Sequence, residues 1–217
     1  MTYAVQILLL ISAYLFGAIP FGFIIGRIKG VDIRDSGSKN IGSTNVGRVL
    51  GKKYAIIAYF LDMTKGGLFV FLFRFGIIPD TYLLLSPMLY GLLAVFGHTC
   101  SIFLKFKGGK AVATSSGAIF GYCPWLLPIL IIIFFIITLS SKYVSLGSLL
   151  TAIITLISSF ILYFIGYDPI LNLNIDIYFP IFTIAMMLII FYRHHENISR
   201  LRKKSENKIN INFRKRT

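Results

Sequence analysis

The segment of residues 36–48 combines glycine, hydroxyl, amide and guanidinium groups in a pattern that suits phosphate binding. Glycines let the backbone bend and let N–H groups approach an anion closely, and Arg48 offers a bidentate fork for phosphate. The order matches neither a Walker A loop nor a dinucleotide fingerprint, so nucleotide binding is not indicated. We predict an anion site, with a solvated turn as the alternative. The contributing residues are Gly37, Ser38, Asn40, Gly42, Ser43, Thr44, Asn45 and Arg48.

A second basic and glycine-rich segment lies at residues 97–110. Its Phe-Lys-Gly-Gly-Lys end places Lys107 and Lys110 on either side of Gly108 and Gly109. A flexible ammonium group on a bend is a suitable phosphate ligand. The alternative is a topology signal for the cytoplasmic side of a membrane. His98, in the same segment, is at least as consistent with a structural role as with a catalytic one.

The third polar segment, residues 193–217, follows the last apolar run. Helical spacing places His194, Asn197 and Leu201 on one face and His195, Ser199 and Arg202 on another. We expect the first face to turn towards the protein and the second to meet lipid headgroups. The basic residues Lys203, Lys204 and Arg214–Arg216 are typical of a tail that binds anionic lipid.

Polar residues also interrupt or flank the apolar runs. Asp62 and Lys65 lie three residues apart inside one run, and we weigh a structural ion pair and a site role about equally. Ser145 lies where another run begins. There is no carboxylate cluster for Mg²⁺, no Cys/His zinc pattern and no evident Ser-His-Asp set. We therefore expect chemistry on anionic substrates without a metal or cofactor.

The composition determines where such a site can be. The chain has 217 residues, 56% of them hydrophobic, yet its net charge is +14, from 22 Lys and Arg against 8 Asp and Glu. The mean hydropathy is +0.79. This much apolar side chain excludes a disordered chain and is incompatible with a soluble nucleic-acid binder, despite the positive charge. The sequence predicts an integral membrane protein.

Apolar runs long enough for membrane spans alternate with short polar segments. We predict one domain, residues 1–217, built as an all-α bundle of seven transmembrane helices. Nearly all basic residues lie in segments 27–53, 97–110, 140–145 and 193–217, which places these on the cytoplasmic side and the N-terminus outside. Five spans with re-entrant pieces are the alternative. The seven predicted runs are 3–25, 54–78, 82–96, the two halves of 111–139 with a turn at 121–125, 144–165 and 177–192.

In these motifs the chain resembles the PlsY family of bacterial acyltransferases. The resemblance covers essentially the whole sequence. It depends on Gly-Ser-x-Asn-x-Gly-Ser-Thr-Asn-Val-x-Arg at 37–48, Leu-Asp-x-x-Lys-Gly at 61–66, Gly-His at 97–98, Phe-Lys-Gly-Gly-Lys at 106–110, Lys-Tyr-Val-Ser at 142–145 and Arg-His-x-Glu-Asn-Ile-x-Arg-Leu at 193–201. The family's seven-helix fold with an external N-terminus agrees with the predicted topology.

The resemblance implies an activity. Family members transfer an acyl group from acyl phosphate to the sn-1 hydroxyl of glycerol 3-phosphate, giving lysophosphatidic acid and inorganic phosphate in the first acylation step of phospholipid synthesis. It implies phosphate binding by Ser38, Arg48, Lys110 and Ser145, and a catalytic pair, His194 and Asn197. It also implies a bacterial inner-membrane location, membrane lipids as partners, and a functional link to the enzyme that makes acyl phosphate.

Acyl phosphate is already activated, so we expect direct transfer without a covalent enzyme intermediate. Either His194 or a substrate phosphate accepts the hydroxyl proton, and we favour the phosphate because no carboxylate that would orient the histidine is evident. The chain lacks the His-x-x-x-x-Asp motif of acyltransferases that use acyl-CoA. It departs from the family at Lys39, Lys105 and Ala111, where glycine is usual, and at Ile41 and Ser101, where proline is frequent.

Two other functions fit parts of the sequence. A transporter for an organic phosphate would also use basic loops and glycine-broken helices, but it should show internal repeats and polar residues near the bilayer midplane. A scaffolding membrane protein with a lipid-binding tail would leave the segment 36–48 unexplained.

Overall fold

The computed structural model describes residues 2–209, and this part of the chain forms ten α-helices. Two short 3-10 turns, at Asp80–Tyr82 and Ile102–Leu104, lie in the connections. The helices are α1 (Thr2–Ala18), α2 (Phe21–Ile28), α3 (Ser43–Leu50), α4 (Lys52–Arg74), α5 (Pro87–Thr99), α6 (Val112–Tyr122), α7 (Leu126–Ser141), α8 (Val144–Ile165), α9 (Tyr178–Arg193) and α10 (His195–Arg202).

Three helical segments are long and apolar enough to cross a membrane. They are Lys52–Arg74, Pro87–Leu104 and Val144–Ile165, and a fourth follows if α1 and α2 are taken as one bent span. Two shorter apolar helices, α7 and α9, lie beside them. The described chain is thus a bundle of apolar helices, as the composition predicts.

The first apolar run, residues 3–25, for which we predict one span, is bent in the structure. It breaks after Ala18, and α2 leaves at an angle of 43° to α1. The break coincides with Pro20, which has no amide proton for helical bonding and disfavours the helical conformation of Ile19. The ammonium of Lys65 donates a 2.7 Å hydrogen bond to the carbonyl of Ile19, so α4 stabilises the break.

The predicted division of the run 111–139 into two helices is confirmed. The chain turns at residues 123–125, between α6 and α7. Asp168, from the connection between α8 and α9, secures this turn because it accepts hydrogen bonds from Trp125 Nε1 at 2.9 Å and from Cys123 Sγ at 3.2 Å.

Helices α4 and α6 pack with their backbones almost in contact. A Cβ on Gly66 would come within 1.9 Å of the Thr114 carbonyl oxygen, and one on Gly117 within 1.8 Å of the Met63 carbonyl oxygen. Such small residues let helices in a membrane approach closely. This contact holds the start of α6, and Lys110 just before it, against the middle of α4.

Two apolar clusters support the polar segments. The larger includes Val95, Tyr122, Leu149 and Phe179, from α5, α6, α8 and α9. The smaller lies beneath the segment 36–48 and is formed by buried Ile33, Ile41, Val46, Ala58 and Leu104. The second cluster fixes a segment that would otherwise be a surface loop.

Candidate active site

The polar segments meet around one cavity of about 570 Å³. Both predicted catalytic residues and all four predicted phosphate-binding residues line it, together with five further residues of the predicted anion-binding segment 36–48. Gly37, Lys107, Gly108 and Gly109 do not line it. The predicted site residues in its wall are Ser38, Asn40, Gly42, Ser43, Thr44, Asn45, Arg48, Lys110, Ser145, His194 and Asn197.

The buried amide of Asn45 organises the glycine-rich loop. Its Nδ2 donates to the carbonyls of Ile33 and Ser36 at 2.9 and 3.1 Å, and its Oδ1 accepts from the Ser38 amide at 2.7 Å. Gly37 is required beside it, because its φ is +61° and a Cβ would come within 2.3 Å of Asn45 Oδ1. Asn45 and Gly37 thus shape the loop, and the side chains of other residues are left for a ligand.

Arg48 is the clearest candidate for such a ligand group. It lies in the last turn of α3, is exposed and lines the cavity. Within the residues that the structure describes, its guanidinium has no ion-pair or hydrogen-bond partner. A free guanidinium at the rim of a cavity suits bidentate binding of phosphate.

Gly108 and Gly109 serve packing instead of lining the cavity. Their amides donate 3.0 Å hydrogen bonds to the carbonyls of Thr99 and His98. A Cβ on Gly109 would come within 2.1 Å of His98 Nε2. From the other side, Arg193 donates to the Gly108 carbonyl at 2.5 Å and to the Gly109 carbonyl at 3.0 Å. Lys107, by contrast, is exposed outside the cavity.

This docking places Lys110 against Asn197. The Lys110 ammonium donates a hydrogen bond to Asn197 Oδ1. Burial, followed by the nearby positive charge of Arg200, lowers the pKa of Lys110 to about 8. The ammonium is therefore still largely charged near neutral pH, and a bound phosphate would favour its charged form further.

Glu206 is a site residue that the sequence analysis missed. Its carboxylate is buried and accepts hydrogen bonds from Ser145 Oγ at 3.1 Å, Asn197 Nδ2 at 2.7 Å and Arg200 Nε at 2.7 Å. Burial alone would raise the pKa of Glu206, but these hydrogen bonds, the one from Arg200 first, lower it below the usual value. Ser145 is thus already engaged by a carboxylate.

His194 is buried and held by its own helix. Its Nδ1 lies 2.8 Å from the Ile190 carbonyl oxygen, so Nδ1 carries the proton and Nε2 is left as the acceptor. Burial, and next the charge of Lys110, lowers the pKa of His194 to about 4. The imidazole is therefore neutral at pH 7. The group that orients the imidazole is therefore a backbone carbonyl and not a carboxylate.

The helical faces predicted for the third segment are confirmed. His194 and Asn197 are buried and Leu201 packs against the larger apolar cluster, whereas His195, Ser199 and Arg202 are exposed. The predicted lipid-binding residues Lys203 and Lys204 are exposed as well. Residues 210–217, with Arg214–Arg216, lie outside the described part of the chain.

Another part of the cavity wall is apolar and reaches the outer surface of the bundle. Ile56 and Phe60 of α4 and Phe135 and Leu139 of α7 line it and are themselves exposed. A second cavity of about 100 Å³ adjoins the first and shares wall residues with it, namely Tyr59, Val112, Ile131, Phe134 and Ser148. One cavity thus joins a cationic end to an apolar one.

No group of three or more His, Cys, Asp or Glu side chains that could hold a metal ion occurs among residues 2–209. The polar groups of the cavity wall are guanidinium, ammonium, amide, hydroxyl and imidazole groups, together with the separate carboxylates of Asp62 and Glu206.

Comparison with known proteins gives consistent results. A family model described as glycerol-3-phosphate acyltransferase matches residues 7–204. The glycerol-3-phosphate acyltransferase of Bacillus cytotoxicus is 42% identical over 208 residues, with 94% of this chain and 95% of that protein covered. The Bacillus subtilis (strain 168) protein of the same name is 42% identical over 203 residues, covering 93% and 96%.

A solved structure is similar as well. It is a crystal structure of PlsY (YgiH), described as an integral membrane glycerol 3-phosphate acyltransferase, in the glycerol 3-phosphate form. Its sequence is 36% identical, the match covers 94% of this chain and 96% of that one, and the TM-score is 0.80.

Proposed function

Because the chain belongs to the glycerol-3-phosphate acyltransferase family, we propose that it transfers an acyl group from acyl phosphate to the sn-1 hydroxyl of glycerol 3-phosphate. The products are lysophosphatidic acid and inorganic phosphate, in the first acylation step of phospholipid synthesis. The observation that supports this most is the single cavity with Arg48 and Lys110 at one end and an apolar wall at the other. Both substrates carry a phosphate, which the cationic end can bind, and one carries a long acyl chain, which the apolar wall can bind.

The proposal includes an arrangement in the membrane. Residues 1–217 form one domain with seven spans, the N-terminus outside and the C-terminus in the cytoplasm of a bacterial cell. The three long apolar helices, the bent pair α1–α2 and the shorter helices α6, α7 and α9 supply seven elements for it. The basic segments then lie on the cytoplasmic side, where the soluble substrate is made.

The groups at the cationic end of the cavity bind the substrate phosphates. Arg48 and Lys110 neutralise the two substrate phosphates, and Ser38 and the first-turn amides of α3 donate hydrogen bonds. Ser145 lines the same cavity, and its hydroxyl must turn away from the Glu206 carboxylate, to which it donates, in order to donate to a phosphate. The apolar wall between α4 and α7 receives the acyl chain from the lipid, and the adjoining cavity of about 100 Å³ gives it further room.

The reaction is a direct transfer. The sn-1 oxygen attacks the carbonyl carbon of acyl phosphate, a C–O bond forms, and the C–O bond to phosphate breaks. The hydroxyl proton passes to a phosphate oxygen, so that lysophosphatidic acid and inorganic phosphate leave with all atoms balanced. The Lys110 ammonium, which donates to Asn197 of the catalytic pair, supplies positive charge for the carbonyl oxygen as negative charge develops there. Neither a covalent enzyme intermediate nor a metal is part of this scheme.

His194 acts as a positioning group in the same scheme. An imidazole with a pKa of about 4 is a weak proton acceptor at neutral pH. Its free Nε2 and the amide of Asn197 instead orient the attacking hydroxyl. This assignment supports a substrate phosphate as the proton acceptor.

The partners follow from the same proposal. Membrane lipids contact the apolar helices, and anionic headgroups meet Lys203 and Lys204. The enzyme that makes acyl phosphate supplies the donor. Nucleic acid is not a partner, because the positive charge lies in segments that flank membrane helices.

The test is a transfer assay with purified protein in detergent or liposomes. Labelled glycerol 3-phosphate is incubated with palmitoyl phosphate, palmitoyl-CoA or palmitoyl-acyl carrier protein, and labelled lysophosphatidic acid is measured. We expect product with palmitoyl phosphate alone. Lys110→Gln should abolish it, whereas Lys107→Gln, three residues away but outside the cavity, should not. Folded protein that makes no product, or that uses palmitoyl-CoA equally well, overturns the proposal.

A further inference from the structure

A buried polar cluster lies in the wall of the same cavity, on the two long helices α4 and α5. The Lys65 ammonium, fully buried, lies 2.7 Å from Asp62 Oδ1 and donates to the Ile19 carbonyl. Asp62 is 2% exposed and, unlike Lys65, lines the cavity. The ion pair is therefore neutral overall and presents its carboxylate side to the substrate.

His98 completes this cluster from α5. Its ring edge with Nε2 lies against Gly109, where no side chain fits, and Nδ1 points the other way, 3.8 Å from Asp62 Oδ1. That distance is too long for a hydrogen bond. Among residues 2–209, Nδ1 has no hydrogen-bond partner at all, although the residue is only 4% exposed.

A buried imidazole nitrogen without a partner requires an explanation, because proteins satisfy nearly all buried polar groups. Because Nδ1 and Asp62 Oδ1 are 3.8 Å apart and both residues line the cavity, one ligand oxygen that inserts beside them can lie within hydrogen-bond distance of both. A hydroxyl matches the two groups, since its oxygen accepts from Nδ1–H while its O–H donates to the carboxylate. A phosphate does not match, because the carboxylate would repel it.

From this geometry we infer that Asp62 and His98 bind the non-reacting sn-2 hydroxyl of the acyl acceptor. The inference rests on the proposed function. Phosphate at Arg48 and Lys110 and the sn-2 hydroxyl at Asp62 and His98 hold glycerol 3-phosphate at two points. With both held, the sn-1 hydroxyl is the group left free to attack. The cluster thus determines which hydroxyl of the acceptor is acylated.

The test compares two acceptors that differ by this hydroxyl alone. 3-Hydroxypropyl phosphate keeps the phosphate and the primary hydroxyl of glycerol 3-phosphate but lacks the sn-2 hydroxyl. With palmitoyl phosphate as donor, the wild type should favour glycerol 3-phosphate in kcat/KM by about 10- to 100-fold, the range for a hydrogen bond to a charged group. His98→Phe and Asp62→Asn should reduce this ratio to below about 3-fold.

The ratio separates substrate binding from structural support. A variant that only loosens the fold loses activity with both acceptors in parallel and keeps the wild-type ratio, which would overturn the inference. His195→Phe, at an exposed histidine outside the cavity, should keep both the rates and the ratio. His98→Leu, which also lacks hydrogen-bonding groups, serves where His98→Phe does not fold. A wild-type ratio near 1 overturns the inference whatever the variants do, whereas a wild type inactive on glycerol 3-phosphate overturns the proposed function itself.

Discussion

The side-chain amide of Asn197 donates a 2.7 Å hydrogen bond to the carboxylate of Glu206. Through this contact the segment after α10 closes back on the cavity, where Glu206 also accepts a hydrogen bond from Ser145 at the start of α8. The other end of the Asn197 amide faces Lys110. Asn197 therefore connects three segments that are far apart in the sequence, and its orientation depends on Glu206.

Glu206→Gln should destabilise the protein and misalign Asn197. The new amide cannot accept the Arg200 hydrogen bond and the two bonds from Asn197 and Ser145 at once. Loss of one buried hydrogen bond to a charged group costs about 1.5–3 kcal/mol. Thermal unfolding in detergent should show a lower Tm, together with lower activity. Glu196→Gln is the matched control, because Glu196 is exposed and pairs with the same Arg200 at 3.6 Å, and it should change stability by less than about 0.5 kcal/mol.

The same carboxylate should make stability sensitive to acid. Because the folded pKa of Glu206 lies below its usual value, its contribution is present above the unfolded pKa, about 4.3, and is lost as the pH falls through the folded value. Tm measured from pH 7 down to pH 3 should fall less steeply in Glu206→Gln than in the wild type. An unchanged slope would contradict the assignment.

Lys110 should produce an alkaline limit to activity. Only its protonated form binds phosphate well, so kcat/KM for glycerol 3-phosphate should fall above about pH 8, the value that burial gives this lysine. Lys110→Arg should keep part of the activity and move this limit beyond pH 10, since a guanidinium does not lose its proton there. A limit that stays near pH 8 in Lys110→Arg would assign it to another group.

Three departures from the resembled family share one backbone property. Lys39, Lys105 and Ala111, at positions where glycine is usual in the family, have φ angles of +57°, +53° and +66°. The left-handed region costs a residue with a Cβ about 1–2 kcal/mol. At these three positions the chain therefore has the left-handed backbone conformation that favours glycine, although none of the residues is glycine.

Lys39→Gly and Lys105→Gly should each raise stability. Relief of the left-handed strain outweighs the extra unfolded-state entropy of glycine, which costs about 0.5–1 kcal/mol, and both lysines are exposed, so little packing is lost. We expect a gain of up to about 1 kcal/mol per substitution in thermal unfolding. Lys107→Gly is the control, because Lys107 is exposed but not in the left-handed region, and it should lower stability or leave it unchanged.

Local patterns predicted much of the candidate site. Apolar runs marked the helices, and the polar segments between them supplied Arg48, Lys110, His194 and Asn197, all of which line the cavity. The pair Asp62 and Lys65 was visible because three residues separate neighbours on one helix face. In each case the signal is contained within a few residues of sequence.

The missed features depend on contacts between distant segments. Nothing near Glu206 indicates that it reaches Ser145, and nothing near Arg193 indicates that it binds the carbonyls of Gly108 and Gly109. Gly108 and Gly109 were predicted as a bend that supports phosphate-binding lysines, and in the structure they approach Thr99 and His98. A glycine in the sequence shows that something comes close, not what it is.

His194 allows the sharpest test of the proton acceptor. Its Nδ1 is engaged by the Ile190 carbonyl and its neutral ring has a pKa of about 4, so we assign it to positioning. Loss of a true general base lowers the rate by about 10²–10⁴-fold whatever hydrogen-bonding group replaces it. His194→Asn cannot titrate but keeps a donor and an acceptor. We expect turnover within about 10-fold of the wild type, with the same dependence of kcat on pH between 5 and 7.

His194→Ala provides the comparison, because it removes the hydrogen-bonding groups as well as the ring. It should lower kcat well below that of His194→Asn, while circular dichroism and Tm show that both variants are folded. The opposite result would be that His194→Asn is as inactive as His194→Ala. If added imidazoles then restore activity to the variants, and the restored rate depends on the pKa of the added imidazole, His194 is the base. The proton would then pass to Nε2 and not to a substrate phosphate.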